Sequence, residues 1–567
     1  MSSTKSEDGP RSRRSNQSNR TRSTDSEVLN ISESKPLTDI LAEVFEDETE
    51  GHINVLELLG KINQCGFLST QDVRLRPLMD RLLISDTAND KYNFYNIKKS
   101  VPVSDLKDLP SNCTDIIKKT IFGKALIPEF SRFAEDLLTM YNSVAEIKTG
   151  KIPDFLSSTT KNADQWGVSV CTVDGQMWSC GDSNIPNTLQ SCSAAFSYAI
   201  AITKLGTQRV HKFVGKEAST HGFMNTLDLD KNDVPHNAMI QSGAMAITSL
   251  LLQEHPNDLP SSYENIVNFY ERLAGNKPLK INNTVYLADK SRCDRKFSIA
   301  YLLKEHNGFP PNCKLKHIID LYFQLNSVEV TCQTGAVMAA TLANGGVCPT
   351  TGDDVLSRTA VQNTLSIMHL QGMYSYSGEW MFEAGLPAKS CTSGMIMIVV
   401  PGMMGMCLFS PPLDHNGNST RALEFGRRMA QRFALHYLDN HISAPLRKEN
   451  LSRRQDGTES HEMAIMKVMY AAAYGDINLL SRYHELGLSI DVCDYDYRTA
   501  LHLACCNGNI ALAQFLLDVG VNVCVMDRWN RTPLDEAIKY GNEELVKLLK
   551  NHGAGEGPGP IENEYDK

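Results

Sequence analysis

The stretch Trp166-Gly-Val-Ser-Val-Cys-Thr-Val-Asp-Gly175, with Gln190-Ser191-Cys192-Ser193-Ala194 shortly after it, decides how the chain folds. Asp174-Gly175 reads as a tight turn, so Trp166 to Cys180 is expected to form a hairpin. The apolar run Ala195 to Leu205 then suits a helix. Working outward, strand-like stretches occur at Gly167–Thr172, Met177–Ser179, Ile396–Val400 and Gly405–Phe409. Helical spacing recurs at Ala246–Glu254, Tyr263–Leu273, Leu315–Leu325, Gly335–Asn344 and Ala422–Tyr437. Helices inserted between an N-terminal hairpin and C-terminal strands predict an α/β unit over residues 150–440, one antiparallel sheet flanked by helices.

Ser191 opens the helix that follows the hairpin. There it reads either as an N-terminal cap or as a nucleophile among unpaired backbone N–H groups. A serine hydroxyl needs a base to take its proton. In Ser-x-x-Lys enzymes that base is a lysine one helical turn on, on the same face as the hydroxyl. Ala194 occupies that position.

The 567 residues, 42% hydrophobic and 22% charged, suffice for more than one domain. A net charge of -10 argues against a nucleic-acid partner. The longest apolar runs, Met395 to Val400 and Met403 to Phe409, are split by Pro401-Gly402 and read as two core strands rather than a membrane span. The 15 cysteines form no Cys-x-x-Cys pair and His211, His221 and His236 share no ligand spacing. Neither a metal site nor a disulfide framework is expected, and reduced thiols suit an intracellular protein. Residues 1–35 are rich in Ser, Arg, Thr and Asn and are expected to be disordered. Arg13, Arg14, Arg20 and Arg22 suit a mitochondrial transit segment, whereas Glu7, Asp8, Asp25 and Glu27 suit a cytoplasmic chain.

Residues 36–149 carry helical spacing at Leu37, Ile40, Leu41 and Val44 and at Val55 to Ile62. Further helices are expected near Ile116–Ala125 and Glu129–Ile147, and no acidic calcium loop is present. Residues 441–460 read as a linker and 554–567 as a disordered tail. Between them, Thr499-Ala-Leu-His-Leu-Ala504 and Thr532-Pro-Leu-Asp-Glu-Ala537 recur 33 residues apart, the ankyrin period, with a weaker copy around Ala471-Ala-Ala473. Such repeats bind proteins or cap a neighbour.

Val214-Gly-Lys-Glu217, Pro235-His-Asn237, Tyr322-Phe-Gln-Leu325, Val337 to Gly346, Gly385-Leu-Pro-Ala-Lys-Ser390 and Ser410-Pro-Pro-Leu-Asp414 occur in that order with the hairpin stretch. Together they resemble the serine-dependent glutaminase family, nearest the animal kidney- and liver-type forms with C-terminal ankyrin repeats. The resemblance implies a β-lactamase/transpeptidase-like fold, preceded by a helical EF-hand-like region. It implies hydrolysis of L-glutamine to L-glutamate and ammonia through a serine ester, with no metal or organic cofactor. It also implies dimers or tetramers, mitochondrial residence, and phosphate activation through a loop here spanning Lys216 to Leu229. That loop carries a one-residue insertion and Ser219-Thr-His-Gly222, which puts phosphate activation in doubt.

By the same resemblance Ser191 is the nucleophile, Tyr374 assists proton transfer at it, and Tyr322 contacts substrate. Lys389-Ser390 matches a Lys-Ser-Gly motif, and Lys389 is an alternative base. Departures fall at Ala194 for the lysine, Phe155 for a tyrosine, Gln241 for an asparagine, Asp289 for a glutamate, Lys296 for an asparagine, and Cys391-Thr392 for Gly-Val. A lost general base lowers rates about 10²–10⁴-fold. Glutamine hydrolysis is therefore expected to be weak or lost. The alternatives are a retuned amidohydrolase acting on a related amide, a pseudoenzyme regulating an active glutaminase through mixed oligomers, and an ankyrin adaptor whose ligand stays open.

Overall fold

The structure, a computed structural model, describes residues 35–45, 47, 51–83, 97–152, 162–219, 229–439, 451, 461–485, 489–555 and 557. The expectations for residues 1–34, for Phe155, for 220–228 of the phosphate-loop segment, and for nearly all of the linker and tail lie outside them. The chain divides into two compact units, Met1–Asn450 and Leu451–Lys567.

In the first unit the N-terminal apolar spacing folds as the helices Leu37–Phe45 and Val55–Gln64, whose inward residues include Ile40, Leu41, Leu58 and Ile62. Between and beyond them, β1 (His52–Asn54) pairs antiparallel with β2 (Ser100–Pro102), with the buried Ile53 opposite Val101. The expected Ile116–Ala125 helix instead spans Ser111–Ile121. Pro110 sets its start, and Gly123, at φ +64°, turns the chain away after its end. The next helix, Phe130–Ala145, falls inside the expected range. This region grips the hairpin tip: Asp174 accepts from the Leu126 N–H (2.8 Å), and Gln176 bridges the Ile127 N–H (2.9 Å) and the Cys65 carbonyl (2.6 Å).

The hairpin arms are β3 (Gly167–Thr172) and β4 (Met177–Gly181). Three two- or three-residue strands, β5 (Asn187–Thr188), β6 (Lys280–Ile281) and β7 (Val328–Val330), form a small sheet in the order β5-β7-β6. The main sheet adds β8 (Ala388–Ser390), β9 (Met395–Val400) and β10 (Met404–Phe409), in the order β4-β3-β10-β9-β8, antiparallel throughout. The predicted sheet is observed, with β9 and β10 each starting one residue earlier than expected.

Every residue of β3, β9 and β10 is buried, so both faces are covered. Cys407 and Met397 lie opposite each other in the ladder and point to one face, where Gly335 of the helix Cys332–Ala343 meets both side chains. Ile398 points to the other face, against Gly426 of the helix Thr420–Arg432. The alternation of side chains across a strand makes these two coverings independent. The helices Asn283–Ser291, Asp294–Glu305 and Arg358–Gln371 were not expected, because charged residues in the first two and uncharged polar residues in the third blur the apolar spacing.

The second unit pairs His461–Tyr474 with Ile477–Glu485, Ala500–Cys506 with Ile510–Val519, and Pro533–Lys539 with Glu543–Asn551. Thr499 and Thr532 cap their helices reciprocally with His502 and Asp535. The His502 ring also reaches the Arg531 carbonyl (3.1 Å), tying one repeat to the next. Among the described residues, no helix is long and apolar enough to cross a membrane.

A tight helix–sheet approach occurs at Gly405, where an added Cβ would collide with the backbone of Ala339 and Ala340. Gly405→Ala is expected to destabilise this unit by about 1–3 kcal/mol through overpacking, with Gly402→Ala, in open space at φ +73°, as a strain-only comparison. Urea midpoints with circular dichroism check the ranking, and equal midpoints for the two variants would contradict it.

Candidate active site

A one-turn 3₁₀ helix, Gln190–Cys192, precedes the helix Ser193–Leu205, so Ser191 stands two residues before the regular helix. Its Oγ caps nothing. It lies 2.9 Å from the Tyr374 hydroxyl and donates to the Ser390 carbonyl at 3.2 Å. The cap reading is therefore corrected: the inserted 3₁₀ turn carries the Ser191 side chain away from the helix N–H groups and toward β8. With the serine proton on the Ser390 carbonyl, the Tyr374 phenol is the donor of their shared bond.

Tyr374 is held in the left-handed region, φ +57°, and Gln190 at φ +43°. Residues other than glycine in that region cost about 1–3 kcal/mol each and persist where the surroundings fix them. Here Gln371 and Ser377 both donate to the Tyr374 carbonyl (3.4 and 2.8 Å). Burial raises the phenol well above its usual value, and Ser191 partly opposes this, so Tyr374 stays protonated.

Lys389, in β8, is 1% exposed. Its Nζ lies 3.5 Å from Ser191 Oγ, 2.6 Å from the Ser390 carbonyl, 3.4 Å from the Gly372 carbonyl, and 4.7 Å from the centre of the Tyr374 ring. No carboxylate pairs with it among the described residues. Burial lowers its ammonium pKa below the ordinary lysine value, while the thiols of Cys192 and Cys391 pull the other way. Cys391 hydrogen-bonds Ser393 Oγ at 3.0 Å; burial raises its pKa, but bonds from Cys192, Ser393 and the Met395 backbone, with Lys389, bring it to about 6.

Ser191 and Tyr374 floor a cavity of about 310 Å³. Its wall contains Ala194, Gln241, Asp289, Lys296, Tyr322 and Thr392, so the structure brings these sequence-predicted positions together around the serine. Tyr322 is buried, and its phenol is pushed up to about 12 by burial, partly opposed by Asn326. Asp289 is raised by burial, with Lys296 and a hydrogen bond from Gln190 acting in the opposite direction. Gln241 begins the helix Gln241–Leu251, and its Oε1 is buried without a hydrogen-bond partner. The sequence reading did not single out Arg292, Arg295 or Asn326. Helical spacing from Tyr322 would have reached Asn326, four positions on in the same helix, whereas Arg292 ends the helix before the one that carries Lys296 and has no such signal.

A family model described as Glutaminase matches residues 150–438, and one for three ankyrin repeats matches 468–556. The chain belongs to the glutaminase family. It is similar to "Glutaminase liver isoform, mitochondrial" of Rattus norvegicus, 42% identical over 431 residues, covering 76% of this chain and 71% of the relative. It is similar to "Putative glutaminase 2" of Caenorhabditis elegans, 36% identical over 518 residues, covering 90% and 84%. Among solved structures, Mglu in its native form superposes with a TM-score of 0.52 at 30% identity, covering 55% of this chain and 74% of that one. A probable glutaminase gives 0.51 at 28%, covering 54% and 97%. The main sheet and its flanking helices are thus the β-lactamase-like fold of glutaminases, followed in sequence by ankyrin repeats.

A lysine whose folded pKa is depressed stabilises the fold above its ordinary value near 10.5 and loses that contribution as pH falls toward the folded pKa. Unfolding free energy of the wild type, relative to Lys389→Met, should therefore fall on acidification from pH 10.5 and level out below the folded pKa. Denaturant titrations across that window test this; a constant difference would mean Lys389 stays an ordinary ammonium.

Proposed function

We propose that the glutaminase unit is a serine amidohydrolase in which Lys389 of β8 does the work of the missing helix lysine, with slow turnover of glutamine. The observation that carries this reading is a buried amine 3.5 Å from Ser191 Oγ with no carboxylate partner among the described residues. A small rotation of the serine hydroxyl, from the Ser390 carbonyl to Nζ, would give the amine the proton. Ser191 Oγ would then attack the amide carbonyl carbon, the C–N bond would break, and Lys389 would return the proton to the leaving amine. Water would release the acid by the same steps in reverse. Tyr374, kept protonated, would donate to Oγ and relay the proton.

The rate would be low because Lys389 also serves two backbone carbonyls and so is not free to swing. Ala194 lines the same cavity as Ser191, so a lysine there would face the hydroxyl. Gln241, Asp289, Lys296 and Thr392 are the proposed substrate-binding positions with Tyr322. No step in this reading needs a metal or organic cofactor.

Relatives named as mitochondrial favour the mitochondrion as the compartment, with the cytoplasm as the alternative. A second reading, in which the chain assembles with an active glutaminase in homo- or hetero-oligomers, draws on its ankyrin unit. There Tyr470, Tyr474 and Tyr495 are 64%, 74% and 86% exposed, a surface suited to a protein partner.

Ammonia release by purified protein at high concentration tests the first reading. Ser191→Ala should abolish it, Lys389→Ala should lower it by about 10²–10⁴-fold, and Ala194→Lys should raise it. Activity indifferent to Ser191 and Lys389 would sink the reading. Cys391→Ala, which removes a group that raises the Lys389 pKa, should move the rising limb of the pH–rate profile to lower pH. An unmoved limb would assign that limb to another group.

A further inference from the structure

Gln371, which donates to the Tyr374 carbonyl, has a second partner that ties the two halves of the site together. It ends the helix Arg358–Gln371 and is only 5% exposed. Its Oε1 accepts from the Ser219 N–H at 2.8 Å while its Nε2 donates to the Tyr374 carbonyl at 3.4 Å. Turning the amide over would set donor against donor at Ser219 and acceptor against acceptor at Tyr374, so both contacts fix one orientation. A buried amide is unfavourable unless both ends are bonded, and here two segments distant in sequence must stay in place to bond them.

The Tyr374 end reaches the chemistry, with the hydroxyl 2.9 Å from Ser191 Oγ. The Ser219 end reaches the cavity wall. The Gly215 and Glu217 N–H groups donate to the Pro235 and His236 carbonyls (2.7 and 3.0 Å), and Asn237 Nδ2 donates to the Glu217 carbonyl (2.8 Å). The fully buried Asn237 also accepts from the Met239 N–H (2.9 Å) through Oδ1, and Met239, Ile240 and Gln241 line the cavity. Two buried amides, Asn237 and Gln371, joined by the main chain from Glu217 to Ser219, thus connect the wall to the tyrosine beside the serine. Ser377, donating to the same Tyr374 carbonyl at 2.8 Å, holds that turn locally, so Gln371 adds the tie to Ser219 rather than the turn itself.

We propose that Gln371 is a positioning residue that keeps Tyr374 at Ser191 in register with the wall Met239–Gln241, so that the position of the Ser219 backbone is read at the proton relay. This rests on the amidohydrolase reading for its effect on turnover but not for its effect on Tyr374. Substrate held at the wall then meets the serine in the right place only while the tie is made.

Gln371→Glu is the sharpest variant because it keeps the shape of the amide. Ionised, it accepts from Ser219 but turns a second acceptor toward the Tyr374 carbonyl; protonated, it accepts and donates as glutamine does. Burial raises a carboxyl pKa, so the protonated form is reached in mild acid. Fluorine NMR of the full chain with a ring-fluorinated tyrosine at position 374 reads the effect without turnover. Gln371→Leu and Ser219→Pro, which removes the N–H, should displace the resonance alike, and the double variant no further. Ser219→Ala, which keeps the N–H, should leave it in place. Gln371→Glu should resemble Gln371→Leu at about pH 8 and return toward the wild-type position by about pH 5. In ammonia release, Gln371→Leu should lower kcat about ten-fold with KM within about two-fold, and the deficit of Gln371→Glu relative to wild type should shrink over the same pH range. A resonance unmoved by Gln371→Leu, or a Gln371→Glu displacement independent of pH, would overturn the proposal. Should Gln371→Leu fail to fold, the contrast between the two Ser219 variants decides alone. If the resonance responds as expected but the wild type releases no ammonia, the Gln371 assignment stands and the amidohydrolase reading falls.

Discussion

The seam between β8 and the loop Gly372–Tyr374 is the constraint on which the site depends. The Ser390 N–H donates to the Gly372 carbonyl (3.0 Å), and the backbone at Gly372 lies so close to Ala388 that a Cβ there would strike the Ala388 carbonyl. Two residues on, Tyr374 takes its left-handed conformation with its hydroxyl 2.9 Å from Ser191 Oγ. Lys389 spans the seam from inside, bonding a carbonyl on each side of it. Serine, tyrosine and amine are thus positioned by main-chain packing, and their side chains inherit its precision. A residue larger than glycine at position 372 would part the seam and separate all three groups.

The parts of this arrangement that were legible in the sequence are those carried by local period. The hairpin followed from Asp174-Gly175, the central strands from unbroken apolar runs, and the repeats from a 33-residue recurrence. Strands of two or three residues, such as β5 and β6, carry no period at all and exist because a neighbour completes their ladder. The helix Asp294–Glu305 was missed because it buries only Ile299, Ala300 and Leu303 and keeps charged residues around the rest of its circumference. Helix ends shifted where a proline or a left-handed glycine overrode apolar spacing, as at Pro110 and Gly123.

At the site, the sequence named about half of the cavity lining but not how the groups meet. Ser191 and Lys389 are 198 positions apart, and no local rule predicts that their side chains meet. The cap reading of Ser191 failed because a 3₁₀ turn was inserted before the helix, a local choice that composition does not encode. Nothing in the sequence singles out Arg292 and Arg295. Only the fold shows that they line the same cavity as Ser191. Membership of the glutaminase family fixes the scaffold on which these groups stand, and their roles follow from distances and burial rather than from that membership.

The grip on the hairpin tip has a consequence for how the first unit comes apart. Asp174 and Gln176 satisfy main-chain groups that belong to Leu126, Ile127 and Cys65, residues the chain makes long before the hairpin. The helical region and the sheet edge consequently share buried polar bonds that neither can satisfy alone. Opening one should expose unpaired donors and acceptors on the other, which welds the two into a single melting block. A hydrogen-exchange map would then show amides of β3 and of the Phe130–Ala145 helix losing protection together, as members of one cooperative foldon.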